Sequence, residues 1–83
     1  MSKREIRLVE WIDSSHKEGW IDPQELTDFG FSICVTVGHV LRDDEAEVLL
    51  AQSFDQRFGN VDAVMAIPVA AITKSVTLRK GSA

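Results

Sequence analysis

His16 stands beside Ser14 and Ser15 and three residues after Asp13, so one short stretch holds the residue types of a nucleophile, a base and an orienting acid. Nucleophilic catalysis needs those groups in a fixed mutual hydrogen-bond geometry, which neighbours on one polar loop do not supply. Cys34 and His39 lie in a β-branched run at positions of opposite parity. Alternate residues of a strand face opposite sides, so the two do not share a metal ion. His39 has the parity of Val35, Val37 and Leu41 and is expected in the core or at an interface. Asp43, Asp44, Glu45 and Glu47 make an acidic tip without the ordered ligand spacing and glycine of a calcium loop. The five glycines are scattered singly, so no glycine-rich loop cradles a phosphate. No catalytic group, metal or cofactor is assigned, and the chain reads as a non-enzyme.

The aromatic residues carry more. Trp11, Trp20, Phe54 and Phe58 fall at strand ends or in loops, where flat rings stack on a base or plug a neighbouring subunit. Arg57, next to Phe58, offers a guanidinium to a phosphate or carboxylate. If the loops after Asp13 and Phe54 meet at one rim, they gather Trp11, His16, Trp20, Arg57 and Phe58 into one ligand pocket. These five are the expected binding residues.

The elements that must position them are short. Residues 5–13 read as a first strand, with Ile6, Leu8 and Ile12 on one face and Val9 and Trp11 on the other. A polar stretch follows, then a short helix near Pro23 to Asp28, signalled by Asp22 as N-cap, Pro23 at the first helical position and Gly30 beyond its end. The second strand runs from Ser32 to Arg42, with Ile33, Val35, Val37 and Leu41 expected inward and a bend expected at Gly38. Asp43 to Ala46 turn the chain into a third strand, Glu47 to Phe54. Gly59 and Asn60 close the next loop before a fourth strand, Val61 to Ile67. Pro68 ends that strand, and Pro68 to Ala71 suit one 3₁₀ turn before the last, Ile72 to Arg79. Five strands with one short helix predict a mainly β domain over residues 1–83, a small open barrel. Its expected core is Ile33, Val35, Val37, Leu41, Leu50, Ile67 and Ile72.

At 83 residues the chain has room for one core. Its 45% apolar and 27% charged residues are those of an ordinary globular protein. The net charge of −4 is spread evenly over both halves, so the basic field that duplex DNA requires is missing. Lys3, Arg4, Arg7, Arg79 and Lys80 form a local basic patch only if the terminal strands pair. A single cysteine excludes an intrachain disulfide. Glu5, Arg7 and Glu10 interrupt any signal-like apolar stretch, and no run is long enough to span a membrane, so a cytoplasmic location is expected. The two-sided apolar first strand and the edges of an open barrel both need cover, which predicts homo-oligomerisation.

Val9-Glu10-Trp11-Ile12-Asp13-Ser14, Gly19-Trp20, Cys34-Val35-Thr36-Val37-Gly38, Val48-Leu49-Leu50-Ala51 and Ile67-Pro68 with Ile72 together cover nearly the whole chain. This string resembles small proteins encoded by bacteriophages, prophages and marine viruses that have an Sm-like small β-barrel fold. The resemblance implies a ring-forming homo-oligomer. It does not extend to RNA chemistry: where the Sm family has an arginine-glycine pair between its last two strands, this chain has Ile67-Pro68-Val69-Ala70. The family's Asp and Asn pair also has no counterpart in Arg42-Asp43-Asp44-Glu45. The expected function is therefore a non-enzymatic phage-type binding protein that sequesters a nucleotide-like small ligand, such as a host defence signal. The alternatives are a structural or interaction module, an assembly adaptor or inhibitor of a host protein, and then Sm-like RNA binding.

Overall fold

In the computed structural model, which describes residues 3–82, five strands follow the five apolar runs. They are β1 (Ile6–Asp13), β2 (Ser32–Asp43), β3 (Glu47–Phe54), β4 (Val61–Pro68) and β5 (Ile72–Arg79). All pair antiparallel in one sheet, in the order β4-β3-β2-β1-β5. The protein is mainly β, and helix among the described residues is limited to two 3₁₀ turns, Pro23–Leu26 and Val69–Ala71. The first begins as its sequence dictates, with Asp22 Oδ1 accepting from the Gln24 N–H at 3.1 Å. It stops after one turn because none of its residues is buried, and unpacked helix does not offset the cost of its own nucleation.

The β2–β3 turn is held by Asp44, whose Oδ1 accepts from the N–H groups of Ala46 at 2.8 Å and Glu47 at 2.9 Å. Arg42 pairs with Glu47, and Arg7 reaches Asp43 at 2.8 Å. Three of the four acidic side chains at this tip are therefore spent on local structure. At the other end of the chain, β5 pairs with β1, and Lys3 and Ser82 extend that pairing with an isolated antiparallel bridge.

β2 serves two partners in succession. Residues Ser32–His39 pair with β1, and His39–Asp43 pair with β3. The changeover falls at Gly38, where a Cβ would lie 2.9 Å from the Ala51 carbonyl oxygen and 3.1 Å from Leu50 Cβ. Only glycine admits β3 that closely. The register slips between Val40 and Arg42, leaving Leu41 as an extra residue that sharpens the local twist.

Val9, Val48, Leu50, Ala51 and Ile67 are fully buried, with Trp11, Val40 and Ile72 packed against them. Leu50, Ile67 and Ile72 thus take the expected places. Ile33, Val35 and Val37 do not: they are 63%, 61% and 48% exposed, and the face expected for the first half of β2 is corrected. The register gives the reason. Val9 lies opposite Thr36 and Trp11 opposite Cys34, and opposed residues share a face. Because β1 turns Val9 and Trp11 inward, the even positions of β2 follow them. Ile33, Val35 and Val37 are left on the outer face with Leu8 and Ile12.

The sheet is not closed. β4 and β5 are its two edges, each with a strand on one side only. The radius of gyration is 16.6 Å, against about 12 Å for a compact chain of this length. The connection of residues 14–31 stands off the sheet and is exposed along almost its whole length.

Candidate functional site

Where β2 and β3 part beyond Gly38, a groove of about 400 Å³ opens between them. Val35, Thr36 and Val37 line it from β2, Gln52 from β3, and Val64 and Met65 from β4, with the buried Leu50 and Ala51 beneath. Thr36 links the groove to the core: its Oγ1 accepts from Trp11 Nε1 at 2.9 Å and donates to Met65 Sδ at 3.8 Å. Residues Ser32–Val37 have β1 on one side and, among the described residues, no strand on the other. Alternate backbone N–H and C=O groups of that stretch therefore lack a strand partner, a ready set of hydrogen-bonding groups. Among the described residues, no charged side chain lines the groove.

Ala63, also in the groove wall, has φ +55°, a left-handed conformation that costs an L-residue roughly 1–2 kcal/mol. Its N–H is taken by Asp62 Oδ1 at 2.8 Å, and the Gln52–Ala63 pair is missing from an otherwise continuous ladder. The β3–β4 ladder is thereby interrupted at the groove. The β3–β4 hairpin ends in a turn set by Asp55, whose Oδ1 accepts from Arg57 N–H at 2.9 Å and whose carbonyl accepts from Gly59 N–H at 2.8 Å. Gly59 supplies the positive φ this turn needs. At its tip the Arg57 guanidinium lies over the Phe58 ring, 4.9 Å from the centroid, with both side chains in solvent.

Of the five expected binding residues, Arg57 and Phe58 are thus brought into contact. Trp11 is half-buried, its indole N–H committed to Thr36 behind the groove. His16 is exposed, 3.0 Å from Glu18. Trp20 is wholly exposed on the arm of residues 14–31. The groove residues Val35, Val37, Val64 and Met65 were not expected as a site, because the strand pattern reads them as core or edge. Gly38 is the available signal, since β2 changes partner there.

A second cluster lies around Phe54. Arg4 stacks its guanidinium 5.4 Å from the ring centroid, and the His39 ring is 6.2 Å away at 49°. Arg4 Nε and His39 Nδ1 are buried there without hydrogen-bond partners among the described residues. Nearby, Arg7 donates to Glu5 at 2.7 Å, and this bond holds the Glu5 carboxyl below its usual range and raises the Arg7 guanidinium. Asp44 is lowered by the backbone N–H groups of Glu47 and Ala46. Among the described residues no three His, Cys, Asp or Glu side chains converge as metal ligands, and no helix is long and apolar enough to cross a membrane.

No protein-family model, no curated protein and no solved structure matches this chain.

Proposed function

We propose that the chain is a non-enzymatic binding protein that works as a homo-oligomer and holds a small, flat, nucleotide-like ligand in the groove between β2 and β3. The groove itself carries this proposal. Its volume lies within the range of small-molecule sites, its walls are apolar, and a few polar groups converge on it. A base packs against Val35, Val37, Val64 and the polarisable sulfur of Met65. Thr36, Gln52 and the unpaired backbone of β2 supply hydrogen bonds. Arg57, presented on Phe58 at the tip of the same hairpin, supplies the cation for a phosphate. The strand order supports a ring in which the β4 edge of one copy pairs with the β5 edge of the next, as in an Sm-like barrel assembly. In the phage-type version of this function the ligand is a host nucleotide signal, bound without chemistry.

A thermal-shift series with nucleobases, nucleosides and linear and cyclic nucleotides tests the ligand. A ligand at 100 times its dissociation constant stabilises the fold by about 2.7 kcal/mol. Arg57→Ala is expected to reduce the response to phosphorylated ligands while sparing nucleosides, and Val64→Glu to abolish both. Absence of a shift throughout the series would reject nucleotide binding. The outer apolar face of β1 and β2 favours a second function, protein interaction, and specific capture of one partner by Val64→Glu would then move the assignment there.

A further inference from the structure

We propose that the arm of residues 14–31 covers the outer face of β1, β2 and β5 on a second copy of this chain. Register places Leu8 opposite both Val37 and Val76, Glu10 opposite Val35 and Lys74, and Ile12 opposite Ile33. One face of three adjacent strands is therefore apolar at Leu8, Ile12, Ile33, Val35, Val37 and Val76. All but Leu8 are more than a third exposed. The arm has the matching problem. It is held in a defined shape by the Asp22 cap, yet Trp20 touches almost nothing and Phe29 and Phe31 are 44% and 64% exposed.

Area and charge both point to a second copy as the occupant. The chain exposes 6379 Å², whereas a folded monomer of 9.2 kDa exposes about 4,900 Å². The excess is well above the roughly 800 Å² that one partner contributes to a standard interface, enough for a face as well as an edge. The arm carries Lys17 against Glu18, Asp22, Glu25 and Asp28, a net −3. From Ile72 to Ser82 the chain carries Lys74, Arg79 and Lys80 and no acid, a net +3. Glu10, opposite Lys74 on this face, offsets one of these cations and leaves the face net basic. An acidic, aromatic arm and an apolar face of net positive charge complement each other, and their reciprocal exchange closes a two-fold dimer.

This inference rests on the self-association part of the proposed function and on neither its ligand nor its edge pairing; because Val35 and Val37 border the groove as well as this face, arm and ligand compete there. In a Cys34→Ser background, chains carrying Trp20→Cys are mixed with differently tagged chains carrying Val76→Cys and oxidised. The expected product is the mixed disulfide of the two species, and Trp20→Ala in the otherwise native chain weakens association about 30-fold, as a buried tryptophan anchor does. An intrachain bond in the Trp20→Cys, Val76→Cys double variant with no mixed product would overturn the inference, since the arm would then fold back on its own sheet. Absence of any cross-link would overturn it as well. Because both sites are exposed, neither change threatens the fold. A Trp11→Phe chain gives a second readout: the emission of the remaining indole shifts to the blue as concentration rises. Cross-linking without protection of the β4 and β5 outer amides from hydrogen exchange would retain the arm and remove the ring; the converse would retain the ring alone.

Discussion

At the scale of single residues, the groove is built at an energetic cost that sits on Ala63. A left-handed alanine costs roughly 1–2 kcal/mol, while glycine at the same position loses about 0.5–1 kcal/mol more backbone entropy. Strain is the larger quantity, so Ala63→Gly is expected to raise stability by about 0.5–1 kcal/mol in chemical denaturation; a loss of stability would show that the alanine methyl packs usefully in the wall. Alanine itself does not signal this conformation, being an unremarkable strand residue, and the bond that accompanies it comes from the neighbouring Asp62 carboxylate. Acid response is also set by single residues. Glu5 and Asp44 both have folded pKa values below their unfolded ones, the first through Arg7 and the second through the N–H groups of Glu47 and Ala46. Their stabilisation is complete above the unfolded carboxylate range near pH 4 and is lost as pH falls through the lowered folded values. The melting temperature should therefore drop on acidification below about pH 4, and Glu5→Gln should flatten that drop without changing its direction.

Among the elements, β2 decides the architecture, and it was the most legible and the most misread. Its bounds, its turn into β3, the close approach of β3 at Gly38 and the 3₁₀ step before β5 follow from turn residues and a glycine whose chemistry is local. Its inward face does not, because β1 offers apolar residues on both sides and parity alone cannot choose between them. Val9 and Trp11 win by packing against Val48, Leu50 and Ile67, contacts between residues distant in sequence. The groove was unreadable for the same reason: Val35, Thr36, Val64 and Met65 meet only once the two halves of the sheet have parted. Trp11 and Trp20 illustrate the limit for the expected site, since identical side chains in neighbouring segments end as a core anchor and a free arm tip. Gly38 gives the element its test. A methyl there would collide with the Ala51 carbonyl at 2.9 Å, and forced overpacking of this kind typically costs about 1–3 kcal/mol. Gly38→Ala should lower stability by that amount and disturb the groove. Wild-type stability in this variant would mean that β3 moves away freely.

For the whole molecule, the balance of buried and exposed surface is the governing fact. Full burial is confined to Val9, Gly38, Val48, Leu50, Ala51 and Ile67 among the described residues, and small domains with so little core ordinarily need a supplement such as association. Two supplements are open to this chain: the unpaired edges β4 and β5, and the outer face of β1, β2 and β5. Either couples folding to association, so stability must depend on concentration. For a fold coupled to dimer formation, a 100-fold dilution withdraws about 2.7 kcal/mol per dimer, or a little over 1 kcal/mol per chain. In a domain of this size that corresponds to about 5–10 °C in melting temperature. Calorimetry between micromolar and several hundred micromolar chain should show such a rise, with light scattering giving a mass above 9.2 kDa at the upper end. A melting temperature independent of concentration, together with a monomer mass throughout, would mean that the isolated sheet is stable with its edges and outer face bare. The large exposed surface would then have to be sought in binding a different macromolecule.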